Sequence, residues 1–107
     1  MSAPAAADPI LKRFRAALDA LYGDRIERVV LFGSRARGDA RDDSDYDVAV
    51  FLKGLADRWQ EVDRIVPLVT DILYEDGAFI HAMPHRADSY EDHSSLMREI
   101  RREGADL

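Results

Sequence analysis

Residues 31–52, LFGSRARGDARDDSDYDVAVFL, place five Asp and three Arg between two apolar runs. The runs themselves, 28–32 and 46–52, are short, rich in β-branched residues and bounded by glycine, which predicts two buried strands. Most charged segments between strands are solvated loops. This one is either such a loop or a site that holds a metal ion and a phosphate.

The remaining pattern predicts three helices and one further strand. The segments are a helix from Pro9 to Gly23 with Asp8 as its N-cap, a long helix over 55–77 that Pro67 should kink or interrupt, a strand over 77–84 ended by Pro84, and a last helix from a Ser89–Asp92 capping box to Gly104. The order helix, strand, strand, helix, strand, helix predicts an α/β (α+β) fold. Its small mixed three-stranded sheet carries helices packed on it, and apolar surface left near Trp59 could be covered by a partner.

The length of 107 residues predicts one domain, residues 9–107, after a disordered N-terminus over 1–8. The first residues lack the pattern of a signal peptide, no apolar run could span a bilayer, and there is no cysteine, so a cytoplasmic protein is expected. The net charge of −6 argues against a protein that coats nucleic acid. A nucleotide, a metal ion or a protein partner is compatible with it.

Asp45 and Asp47 are the first candidates for a metal site. Residues i and i+2 of a strand point to the same side, so both carboxylates would project together at the start of the second strand. Two like charges held so close need neutralisation, and Mg²⁺ accepts one or two carboxylates together with water and phosphate oxygens. The alternative is that Asp45 lies in the loop and that Arg35 or Arg37 neutralises Asp47.

Gly33 and Ser34 favour the binding site over the solvated loop. They follow a buried strand where the chain must turn sharply, and exposed backbone N–H groups with a hydroxyl can cradle a phosphate. A P-loop is excluded because Asp39 and Ala40 stand where Lys and Ser or Thr are required. An EF-hand is excluded because Val48 occupies the position of its glycine.

Gly33-Ser34, ten residues, then Asp45-Tyr46-Asp47 resembles the G-S-x10-D-x-D signature of the DNA polymerase β-like nucleotidyltransferase superfamily. The form GSRARGDARDDSDYDVAV is similar to the minimal nucleotidyltransferase branch. Those small proteins are often encoded beside a HEPN-domain partner, as antitoxin and toxin. The resemblance also covers the order of helices and strands over most of the chain.

The resemblance implies a chemistry for these residues. Gly33 and Ser34 would hold the triphosphate of ATP, with Arg35 as a further candidate, and Asp45 and Asp47 would bind two Mg²⁺ ions. An oxygen nucleophile would attack the α-phosphate in line while pyrophosphate leaves. For Arg35 and Arg37, ion pairs with the neighbouring Asp residues are the favoured interpretation.

The chain departs from the family at a third carboxylate, which complete members carry on the strand after the long helix. That strand contains no acid here, and Glu75 and Asp76 come before it. His81 is its one ionisable side chain and a candidate base, although a lone His between apolar neighbours is more often half-buried and structural. His85 and His93 are expected at the surface.

Two functions follow from the resemblance. The first is a nucleotidyltransferase that transfers AMP from ATP to a partner protein, the HEPN-type toxin that it silences. The second is a catalytically weak or inactive nucleotidyltransferase fold that neutralises its partner by binding alone. The missing third acid favours the second function, and the intact Gly-Ser and Asp pair favour the first.

Overall fold

The computed structural model describes residues 5–107. The main elements, in chain order, are α1 (Pro9–Tyr22), β1 (Ile26–Phe32), α2 (Ser34–Arg37), β2 (Tyr46–Leu52), α3 (Arg58–Asp76), β3 (Ile80–Arg86), α4 (Ser95–Glu103) and β4 (Ala105–Asp106), with short 3-10 turns at Ala5–Ala7, Gly23–Arg25 and Ala87–Glu91. Within these residues no helix is both long enough and apolar enough to cross a membrane.

The four strands form one mixed sheet in the order β3-β2-β1-β4. Strands β1 and β2 are antiparallel, β2 and β3 are parallel, and β4 adds to the outer edge of β1 in the antiparallel sense. The predicted α/β class and mixed sheet are therefore confirmed. The predicted number of three strands is corrected to four, because a strand of two residues carries no periodicity that a sequence pattern could reveal.

Each side of the sheet has its own hydrophobic core. One side packs on α1 and α3 through Phe14, Leu18, Ile65 and Ile72 against alternate residues of the strands. The other side is smaller and packs on α4 through Met97 and Ile100. Strand β2 lies between two strands and contributes to both cores, which is why YDVAVFL is almost continuously apolar.

Helix boundaries follow the predicted caps at most ends. The Asp8 carboxylate accepts the N–H of Ile10 at the start of α1, Gly23 ends α1, and Gly77 ends α3 in the left-handed conformation. The last helix begins later than predicted: Ser94, not Ser89, caps it by accepting the N–H of Met97. Residues 87–91 form a 3-10 turn in place of its predicted first turn.

Both prolines that were expected to break an element lie inside one. Pro67 is within α3, which runs without interruption from Arg58 to Asp76. Pro84 is within β3, opposite Val50 of β2. Strand β3 is an edge strand, so a missing backbone N–H can be tolerated on its open side.

The disordered N-terminus predicted over 1–8 lies partly outside the described residues, which begin at 5. Ala5–Ala7 form a 3-10 turn, and the backbone N–H of Asp8 donates to the Ala5 carbonyl at 3.1 Å.

His85 is half-buried, which corrects its expected place at the surface. Its ring stacks on Phe51, with centroids 5.5 Å apart, and Phe51 in turn meets Tyr90 edge to face. Burial, with a smaller contribution from the charge of Arg58, lowers the pKa of His85. Burial therefore disfavours the charged imidazole, which forms an aromatic group with Phe51 and Tyr90.

We expect the free energy of unfolding to decrease as the pH falls from about 7 to about 5, with His85 as one cause. Unfolded chains protonate near the ordinary His value of 6.5, whereas folded His85 protonates lower, so the unfolded state binds more protons in that window. Urea denaturation of the wild type and His85→Phe across that range measures the effect. The variant should lose part of the slope, while His93→Gln, at an exposed loop position, should keep the wild-type slope. Equal slopes in the wild type and His85→Phe would contradict this assignment.

Candidate active site

The site begins where β1 ends and the chain turns into α2. Gly33 has φ +77°, a conformation that side chains with a Cβ rarely adopt, and Ser34 is the first residue of α2. The first hydrogen bond of this turn is donated by the N–H of Ala36 to the Gly33 carbonyl. The amides of Ser34 and Arg35 precede that bond and, like the first amides of any helix, have no acceptor within it.

The register of β1 and β2 brings this turn to the acid pair. Phe32 is the partner of Asp47, so Gly33 lies directly beside the Asp47 side chain. A Cβ added at Gly33 would lie 2.5 Å from Oδ2 of Asp47. Glycine is therefore required at this position both for its backbone angle and for the carboxylate that fills the space beside it.

Asp45 and Asp47 flank a buried tyrosine. Asp45 is exposed and immediately precedes β2, whereas Asp47 is within the strand and its side chain is 34% exposed. Tyr46 is buried in the core on the side of α1 and α3. Since successive residues of a strand point to opposite sides, the Asp47 carboxylate is directed away from that core, on the side of the Gly33 turn. Asp45 lies in the loop before the strand, so this part of the alternative interpretation is confirmed.

Neither arginine of the loop neutralises the acid pair. Arg37 instead pairs with Asp39 at 3.3 Å and with Glu103 of α4 at 3.2 Å. Over residues 5–107, no Lys or Arg lies within ion-pair distance of Asp45 or Asp47. The predicted ion pairing is thus confirmed for Arg37, and the alternative in which an arginine satisfies Asp47 is wrong.

Arg35 binds backbone carbonyl groups rather than carboxylates, which corrects its predicted ion pair. Its Nε donates to the Ser44 carbonyl at 2.9 Å, and one terminal nitrogen donates to the Asp42 carbonyl at 3.1 Å. The guanidinium lies 4.0 Å from the centre of the Tyr46 ring. Arg35 therefore holds the loop that leads into Asp45, and these contacts leave its assignment as a phosphate ligand a prediction.

Tyr46 and Asp8 form a contact that the sequence pattern did not indicate. The Tyr46 hydroxyl donates to Asp8 Oδ2 at 2.8 Å and ties the start of β2 to the start of α1. Burial, followed by the hydrogen bond to Asp8, raises the pKa of Tyr46 to about 12. The phenol therefore stays protonated, and its hydrogen bond holds the start of β2 against the start of α1. The one hint of this contact in the sequence was a tyrosine placed between two aspartates.

His81 lies beside Asp47 on the neighbouring strand β3. It is the partner of Asp47 in the parallel register of β2 and β3, and its Nδ1 is 3.6 Å from Asp47 Oδ1. The side chain is 59% exposed, so it is not the half-buried structural residue that its apolar neighbours suggested. Its position allows it to exchange a proton with a group bound at Asp47.

The third carboxylate is absent from β3, as the sequence indicated. Glu75 and Asp76 end α3 and pair with Arg13 of α1, at 3.0 and 2.6 Å, so they belong to a different surface. In the part of the chain that the structure describes, no three His, Asp or Glu side chains lie close enough to hold a metal ion together.

The side chains at this site suit Mg²⁺ bound together with a nucleotide, rather than a metal ion held by protein ligands alone. Two carboxylates without a cationic partner supply charge and oxygen ligands, and Mg²⁺ commonly completes its six ligands with water and phosphate. Gly33 leaves Oδ2 of Asp47 unobstructed beside the turn. Asp45 and Asp47 would hold the ion, with the amides and hydroxyl of the 33–34 turn on the phosphates.

A cavity of about 620 Å³ lies on the opposite side of β2. Tyr46, Arg35, Leu31 and Ala5 contribute to its lining, whereas Asp45 and Asp47 do not. Asp45 is exposed and the side chain of Asp47 is 34% exposed, so both acids are open to solvent.

We expect Gly33→Ala to re-aim Asp47 and abolish Mg²⁺-ATP binding. The alanine Cβ would enter the position of Oδ2, and the carboxylate would rotate away from the turn. Gly54→Ala is the matched control, because Gly54 has φ +66° and open space around its added Cβ. Each substitution should cost about 1–3 kcal/mol of backbone strain in urea denaturation. Calorimetric titration should show lost nucleotide binding in Gly33→Ala alone; retained binding there would contradict the contact.

Solved structures with the same fold support this placement of the elements. A nucleotidyltransferase of Sulfolobus solfataricus, so designated by inference, superposes with a TM-score of 0.67 at 18% identity, over 91% of this chain and 75% of that one. A chain from a toxin–antitoxin complex crystallised with AMP-PNP superposes with a TM-score of 0.59 at 18% identity, over 87% of this chain and 68% of that one. At these identities the likeness shows the fold alone.

Sequence relatives are closer. Two proteins of Methanocaldococcus jannaschii, both designated by inference as protein adenylyltransferases, are 43% identical over 44 residues and 37% identical over 73 residues. The first match spans 41% of this chain and 44% of that relative, and the second spans 68% and 67%. The model of the nucleotidyltransferase domain family matches residues 11–102, a range that contains the Gly33 turn, the acid pair and His81. With this match over most of its length, the chain belongs to the nucleotidyltransferase domain family.

Proposed function

We propose that this protein is a Mg²⁺-dependent adenylyltransferase of the cytoplasm that transfers AMP from ATP to a hydroxyl group of a partner protein. The partner would be the HEPN-type toxin of a toxin–antitoxin pair, with this chain as the antitoxin. The observation that carries the proposal is Asp47, which lies against the Gly33 turn without a Lys or Arg partner in the described residues, with Asp45 two residues before it. The names of the M. jannaschii relatives and the AMP-PNP of the toxin–antitoxin neighbour support the choice of nucleotide and of partner class.

Each residue would have a separate part in the transfer. The amides after Gly33 and the Ser34 hydroxyl bind and orient the triphosphate, while Asp45 and Asp47 hold Mg²⁺. The bound ion supplies charge stabilisation on the attacking and leaving oxygens. A bond forms between the acceptor oxygen and the α-phosphorus as the bond to pyrophosphate breaks. The proton of the acceptor hydroxyl passes to His81, which is exposed beside Asp47.

The acceptor is proposed to be a protein because Asp45 and Asp47 are open to solvent. The cavity of about 620 Å³ beside Tyr46 does not include Asp45 or Asp47 in its lining, so it does not place a small acceptor at the acid pair. Relatives designated as protein adenylyltransferases agree with this choice.

The alternative is a module that neutralises its partner by binding alone. The observation that favours it is the absence of a third acid on β3, since β3 from Ile80 to Arg86 has His81 where it passes Asp47. Under this alternative, ATP would bind as a structural ligand or not at all. A stable complex without any transfer of label would distinguish it from the enzyme.

We expect Asp47→Asn and Asp45→Asn to lower AMP transfer roughly a hundredfold or more, since metal-held charge stabilisation is worth several kcal/mol. The measurement incubates the protein with α-³²P-labelled ATP, Mg²⁺ and the purified product of the adjacent gene, and follows label on that product. Asp43→Asn is the matched control, since Asp43 is an exposed acid of the same loop and lies outside the proposed ligand set. Transfer that survives in Asp47→Asn would refute the proposal.

His81→Asn should lower the rate of transfer by about 10²- to 10⁴-fold, the usual contribution of a general base. Affinity for Mg²⁺-ATP should be retained, because the asparagine leaves Asp45 and Asp47 in place. The same ³²P transfer assay measures the rate. An unchanged rate of transfer in His81→Asn would show that His81 does not accept the proton.

A further inference from the structure

Asp45, the exposed member of the acid pair, is held in place through the residues on either side of it. On one side, the Ser44 carbonyl accepts a hydrogen bond from Nε of Arg35 at 2.9 Å. On the other side, the N–H of Tyr46 donates to the Phe79 carbonyl at 3.0 Å and fixes the backbone at the start of β2. Because Asp45 lies in the loop, the position of its carboxylate depends on how well these two neighbours are fixed.

The two neighbours of Asp45 are joined by the side chains of Arg35 and Tyr46. The Arg35 guanidinium lies 4.0 Å from the centre of the Tyr46 ring, and the same guanidinium donates to carbonyl groups of the loop. The ring is buried in the core on the side of α1 and α3. A guanidinium that stacks on a fixed aromatic ring has little freedom, so its hydrogen bonds to the loop keep one geometry.

Asp8 holds the far end of the same tyrosine. Its Oδ2 accepts the Tyr46 hydroxyl at 2.8 Å, and its Oδ1 accepts the N–H of Ile10 at 2.8 Å as the N-cap of α1. The first of these hydrogen bonds joins residues 38 positions apart in the sequence, whereas the second is local. One carboxylate therefore caps a helix and also links that helix to the start of β2.

The contact of Asp8 with Tyr46 acts on the metal site only through the backbone. The Tyr46 ring faces the core of α1 and α3, whereas Asp47 faces the Gly33 turn on the other side of the sheet. The Tyr46 hydroxyl is therefore directed away from any ion that Asp47 holds. Its effect on Asp45 passes through Arg35 and the backbone of residues 44–46.

A carboxylate that is fixed before its ligand arrives binds more tightly than one that must first be ordered. When only a fraction of the molecules has the competent loop, the apparent dissociation constant rises by the inverse of that fraction. The hydrogen bond between Asp8 and Tyr46 keeps this fraction high, because the carboxylate makes it a charge-assisted bond. At saturating ligand every molecule has the competent loop, so the maximal rate is independent of that fraction.

We propose that Asp8 and Tyr46 are positioning residues of the metal site, and that the hydrogen bond between them keeps Asp45 ready to bind Mg²⁺ with ATP. The inference rests on the proposed function, because it takes Asp45 as a ligand of the ion. It goes further by making the affinity for Mg²⁺-ATP depend on the N-cap of α1, which is distant in the sequence.

The test compares the affinity for Mg²⁺-ATP with and without this hydrogen bond. Tyr46→Phe removes the hydroxyl and keeps the ring that packs in the core and under Arg35. Calorimetric titration with Mg²⁺-ATP should show a dissociation constant raised about tenfold, the effect of losing one hydrogen bond to a charged group. In the ³²P transfer assay the Mg²⁺-ATP concentration at half-maximal rate should rise by the same factor, and the maximal rate should stay unchanged.

Tyr22→Phe and Asp57→Ser are the matched controls. Tyr22 is also a buried tyrosine whose hydroxyl donates a hydrogen bond, to the Glu61 carbonyl, but it lies at the other end of α1. Asp57 is also an aspartate that caps a helix, but its carboxylate accepts backbone N–H groups at the start of α3. Both control variants should keep the wild-type dissociation constant.

Asp8→Ser removes the same hydrogen bond from its other side. Serine is a good N-cap residue, so the variant should retain the cap of α1 and lose the contact with Tyr46. This variant, Tyr46→Phe and the double variant should raise the dissociation constant equally, because each removes one and the same interaction. Hydrogen exchange over residues 41–45 should be faster in all three than in the wild type, and unchanged there in the two controls.

Urea denaturation of every variant separates positioning from stability. A purely structural role would lower the free energy of unfolding while leaving the affinity of the folded protein for Mg²⁺-ATP unchanged, and that result would overturn the inference. An equal loss of affinity in Tyr22→Phe would overturn it too. So would a lower maximal rate with wild-type affinity in Tyr46→Phe, since that would place Tyr46 in the chemical step.

The inference and the proposed function fail in different ways. Weaker Mg²⁺-ATP binding in Tyr46→Phe, without any transfer of label by the wild type, would refute the enzyme and keep the positioning role. Transfer that is lost in Asp47→Asn but unchanged in Tyr46→Phe at every Mg²⁺-ATP concentration would keep the enzyme and remove the positioning role.

Discussion

The contact between Gly33 and Asp47 is the constraint on which the rest of the site depends. It exists because β1 and β2 pair antiparallel with Phe32 opposite Asp47, so the residue after β1 lies against a side chain at the start of β2. A shift of one residue in this register would turn the Asp47 side chain toward the core and expose Val48. The buried residues of β2 on both sides of the sheet oppose that shift, since each side has its own core.

The charged residues of segment 33–47 have two separate roles. Arg37 ties the segment to α4 through Glu103, and Arg35 holds the loop by its carbonyl groups and covers the ring of Tyr46. The cations are thereby used to shape the loop. Asp45 and Asp47 are left without a cationic partner in the described residues, which is the condition under which a pair of carboxylates takes up a divalent ion.

Most of the strands and helices could be predicted from the sequence, and the predictions that were wrong have physical causes. Pro84 was expected to end a strand, but at a sheet edge a missing N–H costs little. Ser89 and Ser94 are both followed by residues that suit a helix start, and packing of Met97 and Ile100 on the sheet favours the later one. The roles of Gly33, Asp45 and Asp47 could be proposed from their spacing, because that spacing is local.

Contacts between distant segments could not be read from the pattern in the same way. The hydrogen bond of Tyr46 to Asp8 and the side of β3 on which His81 lies both depend on how the elements pack. By itself the sequence determined the elements, the turn and the acid pair, since hydrophobic periodicity and glycine requirements act over a few residues. Only the tertiary structure decided that no arginine of residues 5–107 pairs with Asp47 and that His81 lies beside it. The burial of the whole core determines the strand register, and the register determines which side chains come within contact distance.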